Sequence, residues 1–311
     1  MATRTDYKTC PANLGLFYSA AVWGSTFFIV KWCLLSINPV ILVGYRFTLA
    51  ALILAGFLVV RRKHLFAHFK EGLVLGLFLW LLYLPQTIGL GITTASNSAF
   101  ITGTFVIFVP IFSFLVFRRG PSKTEVMSAL VSLTGLWVLT RGLQSVNYGD
   151  LLTVVTAMAY AIHILFIDRF VKGGADPYVL SFQQFLVVGV LSLAVGLIFR
   201  LPFHPASTDV IWVILLLALF PTLSAFVIQL VAQKYISPIR VSLIFAFEPV
   251  FAALFAWTLG GEPFVTHRAA GGLLVFLALI ISSLPSGREL LSRIPGGVKH
   301  DEKGAKDSPF S

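Results

Sequence analysis

The chain is poor in charge and poorest in acid. Charged residues make up 12% of its 311 positions, against about 25% in soluble globular domains. The 13 Asp and Glu are outnumbered by 23 Lys and Arg. That composition excludes an ordinary soluble domain. Cysteine is nearly absent. Cys10 precedes the first apolar run and Cys33 lies near its far end, so a bilayer would separate them and no disulfide is expected. No G-x-x-x-x-G-K-[ST] pattern occurs, which argues against direct ATP drive. No H-E-x-x-H, paired-Asp motif or Cys/His cluster occurs either, so no metal, cofactor or catalytic set is expected. A cleaved signal peptide is rejected: the apolar run from Leu14 to about Ser36 is too long, and no small-x-small site follows it.

What the chain has is long hydrophobic blocks. Hydrophobic residues make up 57%, with a mean hydropathy of +0.90. The blocks run roughly twenty residues, enough to cross a hydrocarbon core of about 30 Å. This predicts an all-α polytopic membrane protein with ten spans, at about 14–36, 39–60, 71–92, 95–117, 124–141, 149–171, 177–199, 209–233, 237–259 and 264–285. Pro, Gly, Asn or charge marks most gaps, as at Asn38-Pro39, Asp176-Pro177 and RRGPSK over 118–123. The polar, mixed-charge tail over 286–311 reads as disordered.

The basic residues are dispersed between spans, which suits loop charge and not a nucleic-acid patch. With the N-terminus inside, 18 Lys and Arg fall on the cytoplasmic side and four outside: Lys31, Arg141, Arg200 and Arg268. That bias favours both termini in the cytoplasm and an even span count.

The two halves resemble each other. NPVILVGYRF (38–47) aligns with DPYVLSFQQF (176–185) at an offset of 138, and QTIGLGITTASNSA (86–99) with QLVAQKYISPIRVS (229–242) at 143. Five spans is an odd number, so the second half enters from the opposite face. An inverted-topology repeat places a substrate site near the midplane, between the halves.

These segments resemble the drug/metabolite transporter superfamily, EamA type, built of two five-helix repeats. The likeness is carried by AAVWGSTFFIVK, YRFTLAALIL, QTIGLGITTASNSAFITG with VPIF, ISPIRVSLIFAFEPVFAALFAWTLGGE and GGLLVFLALIIS, and covers about residues 14 to 285. The resemblance implies a short cytoplasmic segment at 1–13, repeats at 14–142 and 149–285, and a tail at 286–311. It also implies a central cavity and secondary transport of small organic metabolites such as amino acids, often outward, across a bacterial inner membrane. The expected partners are a small-molecule substrate and the lipid bilayer, without nucleic acid, and the protein is expected not to be an enzyme. A membrane-embedded enzyme acting on lipid-like substrates is the runner-up, and a passive channel the third reading.

Ionisable groups at membrane depth are functional candidates by default. Glu248 is the one acid near the centre of a span, and a lone carboxyl in hydrocarbon is expected to hold a proton. It is a candidate for proton coupling or for holding a substrate cation; the bland reading is a neutral residue at a kink. Arg46 lies in the second span at similar depth. It could pair with Glu248, or bond neighbouring carbonyls. His163 could relay protons or simply donate to a backbone carbonyl. Gln86, Gln229 and Asn97 could bind polar substrate groups or bridge helices. Trp23, Tyr83 and Tyr160 could line the cavity or pack. Lys31 is expected to snorkel to the interface.

Pro85, Pro110, Pro221 and Pro249 are expected to break their helices and free the carbonyls of Leu81, Val106, Leu217 and Phe245. Ser128, Ser132 and Gly135 in the fifth span, with Gly271 and Gly272 in the tenth, either seat those helices on the bundle or form a homodimer face. In the ninth span, FAFEPVFA (245–252) sets Glu248 beside Pro249. Pro110 in IFVPIFSF repeats the proline about one turn away, whereas the strict register puts Phe105 opposite Glu248. The proline therefore reads as shared architecture and the glutamate as particular to one half.

Overall fold

In lipid every backbone N–H and C=O must be satisfied within the protein, which leaves helices for a chain of long apolar blocks. A computed structural model describes residues 6–142, 146–205, 207–258 and 263–282, and among them there are helices and no strand. The tail expected over 286–311 and the turn at Gly260-Gly261-Glu262 lie outside the described residues.

The elements are α1 (Asp6–Gly24), α2 (Thr26–Cys33), α3 (Pro39–Val60), α4 (Phe69–Ile92), α5 (Ala95–Gly103), α6 (Phe105–Phe117), α7 (Lys123–Thr140) and α8 (Tyr148–Lys172). They continue with α9 (Pro177–Ile198), α10 (Asp209–Leu217), a π-helical stretch (Ala218–Ser224), α11 (Ala225–Ala232), α12 (Pro238–Phe245), α13 (Glu248–Thr258) and α14 (Thr266–Ser282). Among the described residues, eight segments are long and apolar enough to cross a membrane: Thr9–Cys33, α3, α4, Ala95–Phe117, α8, α9, Asp209–Ala232 and Pro238–Phe255. α14 is a shorter apolar helix. α1 starts at Asp6, ahead of the residue 14 expected from hydropathy, because a polar turn can extend a helix past the apolar stretch that marks it.

The same start device opens two corresponding helices. Asn38 accepts a hydrogen bond from the Val40 amide at 3.0 Å and Asp176 from the Tyr178 amide at 2.9 Å, each followed by proline at the first helical position. At the other ends, Arg62, Arg118, Arg141 and Arg200 adopt left-handed φ of 51–59° just past α3, α6, α7 and α9. A cation there also complements the negative end of the helix dipole. The outward-assigned Arg141 and Arg200 thus have local work at helix ends.

Five helix pairings hold the bundle: α3 with α9, α4 with α8, α4 with α9, α1 with α11 and α7 with α14. In the last, a Cβ on Gly135 would meet the Gly271 carbonyl at 2.8 Å, and one on Gly271 the Gly135 carbonyl at 2.6 Å. Ser128 and Ser132 on the same helix are fully buried. Gly135 and Gly271 therefore seat α7 and α14 on each other within the chain, while Gly272 faces Val250 of α13. The lipid-facing surface carries bare apolar side chains such as Leu35, Val60, Leu115 and Ile198, with Tyr148 and Trp212 exposed near helix ends, as in interfacial aromatic belts.

The helix breaks do not follow the prolines as expected. α4 runs through Pro85 and α6 through Pro110. Around Pro85, hydroxyls take up nearby carbonyls: Thr156 donates to Leu82 O at 2.9 Å and Thr87 to Tyr83 O at 2.7 Å. The fourth span breaks instead at Gly103-Thr104, where the Thr104 hydroxyl donates to Ile101 O. The ninth breaks at Ala246-Phe247, and Pro249 falls in the first turn of α13, where no N–H is needed. The first span, expected to be continuous, breaks at Ser25. Pro221 does disturb its helix, sitting inside the π-helical stretch.

Candidate functional site

The carbonyl that Pro221 frees is Leu217 O, and the Thr222 hydroxyl donates to it at 2.8 Å. The same Thr222 oxygen accepts from Arg46 Nε. Proline, widened turn and threonine thus make an acceptor for a guanidinium that has entered an apolar bundle. Arg46 Nη2 also reaches the Tyr83 hydroxyl at 3.4 Å, and its guanidinium lies 4.8 Å from the Tyr83 ring centroid, a cation–π arrangement. The Pro221 carbonyl accepts from Trp23 Nε1 at 2.7 Å. One irregular turn therefore orients two of the candidate residues.

Arg46, Trp23, Tyr83, Gln86, Tyr160 and Glu248 line a single narrow cavity, together with Thr102 and Phe226. About 40 Å³ of it is open to water centres, room for a few waters at roughly 10–15 Å³ each. An organic solute needs the walls to part. The floor and one wall are aromatic. Trp23 packs edge-on to Phe245 at 4.9 Å and against Phe226 at 5.1 Å, and Tyr160 lies 4.7 Å from Phe105. Gln86 donates to Thr102 at 3.0 Å.

Glu248 opens α13 at the break in the ninth span and is 8% exposed. Among the described residues no salt bridge joins it to Arg46, so the pair anticipated from their depth is not made. Arg46 satisfies itself with Thr222 and Tyr83 instead. The cavity thus presents a guanidinium on one wall and a carboxyl on another, neither neutralised by the other. Gly24 brings α1 up to this point: a Cβ there would fall 2.5 Å from the Glu248 carbonyl oxygen and 3.1 Å from the Ala252 nitrogen.

Three candidates lie elsewhere. His163 is fully buried beside Phe226, with Nε2 2.8 Å from Gln184 Oε1. Its partner is a side-chain amide, not the backbone carbonyl expected. Gln229 donates to Gln233 at 3.0 Å, and Gln233 to Ile164 O at 2.9 Å. The sequence-matched pair Gln86 and Gln229 therefore splits, one facing the cavity and one joining α11 to α8. Asn97 donates to the Asp150 carboxylate at 3.3 and 3.4 Å.

Asp150 escaped the sequence reading, which left it among loop and outer-turn acids. It is 2% exposed, accepts from Thr93 at 2.5 Å and closes a capping box with Asn147. Lys31 joins the same corner, donating to Thr93 O at 2.7 Å where snorkelling was expected. The N-x-x-D spacing at 147–150 was the available sign. Thr222 and Phe226 were also missed. Nothing in a lone threonine or phenylalanine of an apolar run distinguishes it.

A bundle with membrane-length helices around one buried, mixed-charge cavity defines an integral membrane protein of the transporter class. The chain belongs to the EamA-like transporter family, matching it twice, over residues 11–141 and 147–284. It is 34% identical over 277 residues to an uncharacterized transporter of Archaeoglobus fulgidus, covering 89% of this chain and 87% of the other. It is 23% identical to the uncharacterized transporter YoaV of Bacillus subtilis, over 88% of this chain and 97% of that one. With the uncharacterized inner membrane transporter YedA of Escherichia coli K12 it shares 24% identity, over 86% and 89% of the two chains. One crystal structure superposes with a TM-score of 0.74 at 18% identity, over 90% of this chain and 98% of that one. That likeness concerns the fold.

Proposed function

We propose that the chain is a secondary transporter of small organic metabolites, working by alternating access around the cavity between its two matched segments. One observation carries this reading. The cavity takes Arg46, Tyr83 and Gln86 from the first segment and Tyr160, Phe226 and Glu248 from the second, so any movement between the halves opens or closes it.

In this reading the bundle crosses the membrane ten times, counting α7 and α14 as spans, and the halves are inverted repeats. The pairings support the symmetry. The third span (α4) packs on the sixth (α8) as the eighth (α11) packs on the first (α1), while the second and seventh, and the fifth and tenth, pair with each other. The breaks support it too: Thr104 and Phe247 stand 143 residues apart, the offset of the sequence repeat. Both termini lie in the cytoplasm of a cell with a bacterial-type inner membrane, and export is the working direction. A homodimer would use the outer faces of α7 and α14, since their small-residue faces are taken up inside the chain.

Arg46 holds an anionic group of the solute and Glu248 a cationic one or the coupling proton. The aromatic walls take the apolar part. The test is a thermal-shift screen of the purified protein against a metabolite panel, repeated on Arg46→Gln and Glu248→Gln. A hit that shifts the wild type and is lost in both variants, each still folded, supports the site. A hit that shifts all three equally places the solute elsewhere.

A further inference from the structure

A second cavity opens at the opposite end of α8 from Asp150, where the α6–α7 turn, the last turn of α8 and the first turn of α12 meet. It is far larger than the central one, about 710 Å³. Four cations line it, Arg118, Arg119, Arg169 and Lys172, against two acids, Asp168 and Glu125. Both acids are already engaged. Asp168 pairs with Lys172, and Glu125 accepts from the Ser122 amide at 2.7 Å in a capping box. No salt bridge among the described residues reaches Arg118, Arg119 or Arg169, although Arg119 lies near enough to Asp168 to act on its carboxylate. Arg169 lies 5.5 Å from the Phe117 ring centroid, which holds its guanidinium at the cleft wall.

A general excess of basic residues on one side of a membrane requires charge, but it requires no cleft. Here three arginine forks, none in a salt bridge among the described residues, surround a hollow of ligand size, whose walls also include apolar Leu165 and Ile239. Guanidinium forks match phosphate oxygens in pairs. We infer that this cleft is a binding site for a phosphate ester, separate from the central cavity. The phosphate can come from an acidic phospholipid head group entering from the bilayer or from a soluble phosphorylated compound. The inference does not depend on which solute the central cavity carries.

The experiment uses the full chain in phosphatidylcholine nanodiscs, with two arms at fixed ionic strength. One adds phosphatidylglycerol and counts retained lipid by native mass spectrometry. The other titrates inorganic phosphate and glycerol 3-phosphate and follows the melting temperature. Saturable binding in either arm is expected, and the arm that responds identifies the source. Replacing Arg119 and Arg169 together by Gln is expected to weaken it at least about tenfold, and replacing both by Lys to weaken it less. Arg61→Gln serves as a control, because Arg61 stacks on Phe57 at the same end of the bundle, and it should bind as the wild type does. Melting of each variant without ligand checks its fold. Absence of binding in both arms overturns the site, as does wild-type affinity in the Gln or the Lys pair. Equal loss in Arg61→Gln would reduce it to general charge and overturn it as well.

Discussion

Arg46 survives in an apolar bundle because one hydroxyl and one aromatic ring are placed for it. Thr222 accepts from Nε and donates its own hydroxyl hydrogen bond to the carbonyl that Pro221 leaves open. Thr222→Val keeps the shape and removes the acceptor. A buried donor left unpaired costs about 1–3 kcal/mol, so a clear fall in melting temperature is expected, with Thr222→Ser restoring most of it. An unchanged melting temperature in Thr222→Val would mean that Arg46 finds another acceptor. Asp176 offers a pH test away from the bilayer interior. Partial burial pushes its carboxyl up, but the hydrogen bond from Lys63 at 2.9 Å and the amides of Tyr178 and Val179 outweigh that and hold it below the usual aspartate value. A depressed acid contributes stability that is present above its unfolded value, about pH 4, and is lost as pH falls through the folded one. The pair is half-exposed, so it contributes less than about 1 kcal/mol. The melting difference between wild type and Lys63→Met should therefore be small at neutral pH and shrink as pH falls from about 4 through the folded value; a difference that stays constant across that acid range would assign it to something other than the ion pair. Glu248 and Arg46 were legible in the sequence because a charge inside an apolar run is conspicuous. Asp150 was not, because an acid at a span boundary looks solvated until the fold buries it, and Thr222 carries no charge to notice.

At the scale of elements, eight membrane-length apolar segments among the described residues were legible in the sequence, and their interruptions were not. Hydropathy marks apolar length, which a broken helix and a straight one share. Proline was the visible clue, yet α4 and α6 run through theirs; around Pro85 the Thr87 and Thr156 hydroxyls bond nearby carbonyls. The breaks fall instead at Gly24-Ser25, Gly103-Thr104 and Ala246-Phe247. The register had already set Phe105 opposite Glu248, and these two residues are the ones that open α6 and α13. Glu248 thus occupies the same place in its half as a phenylalanine does in the other. The first and ninth spans meet at their breaks through Gly24. Gly24→Ala puts a methyl group against the backbone of Glu248 and Ala252, where no side chain can swing aside. Overpacking of this kind costs typically about 1–3 kcal/mol. A lowered melting temperature is expected, together with changed reactivity of a cysteine placed at Thr26 in the cavity wall. If Gly24→Ala melts and reacts like the wild type, the two breaks are not in contact.

At the scale of the whole molecule, the proposed repeat makes the pairing of α1 with α11 the counterpart of that of α4 with α8. What the repeat could not supply was the depth of each side chain in the bundle. Gln86 and Gln229 match in alignment and still part company, Gln86 lining the cavity and Gln229 bonding Gln233. The cavity's smallness is also a property of the whole. The cavity has room for only a few waters, so in the proposed mechanism the solute enters as the halves move apart and meets the same residues from either side. Counterflow in proteoliposomes tests this most directly: vesicles preloaded with an unlabelled solute from the screen are diluted into its labelled form. The account predicts saturable uptake that rises with internal solute, and its loss in both Arg46→Gln and Glu248→Gln. Uptake that does not saturate and is indifferent to internal solute, or that persists unchanged in both variants, would contradict it.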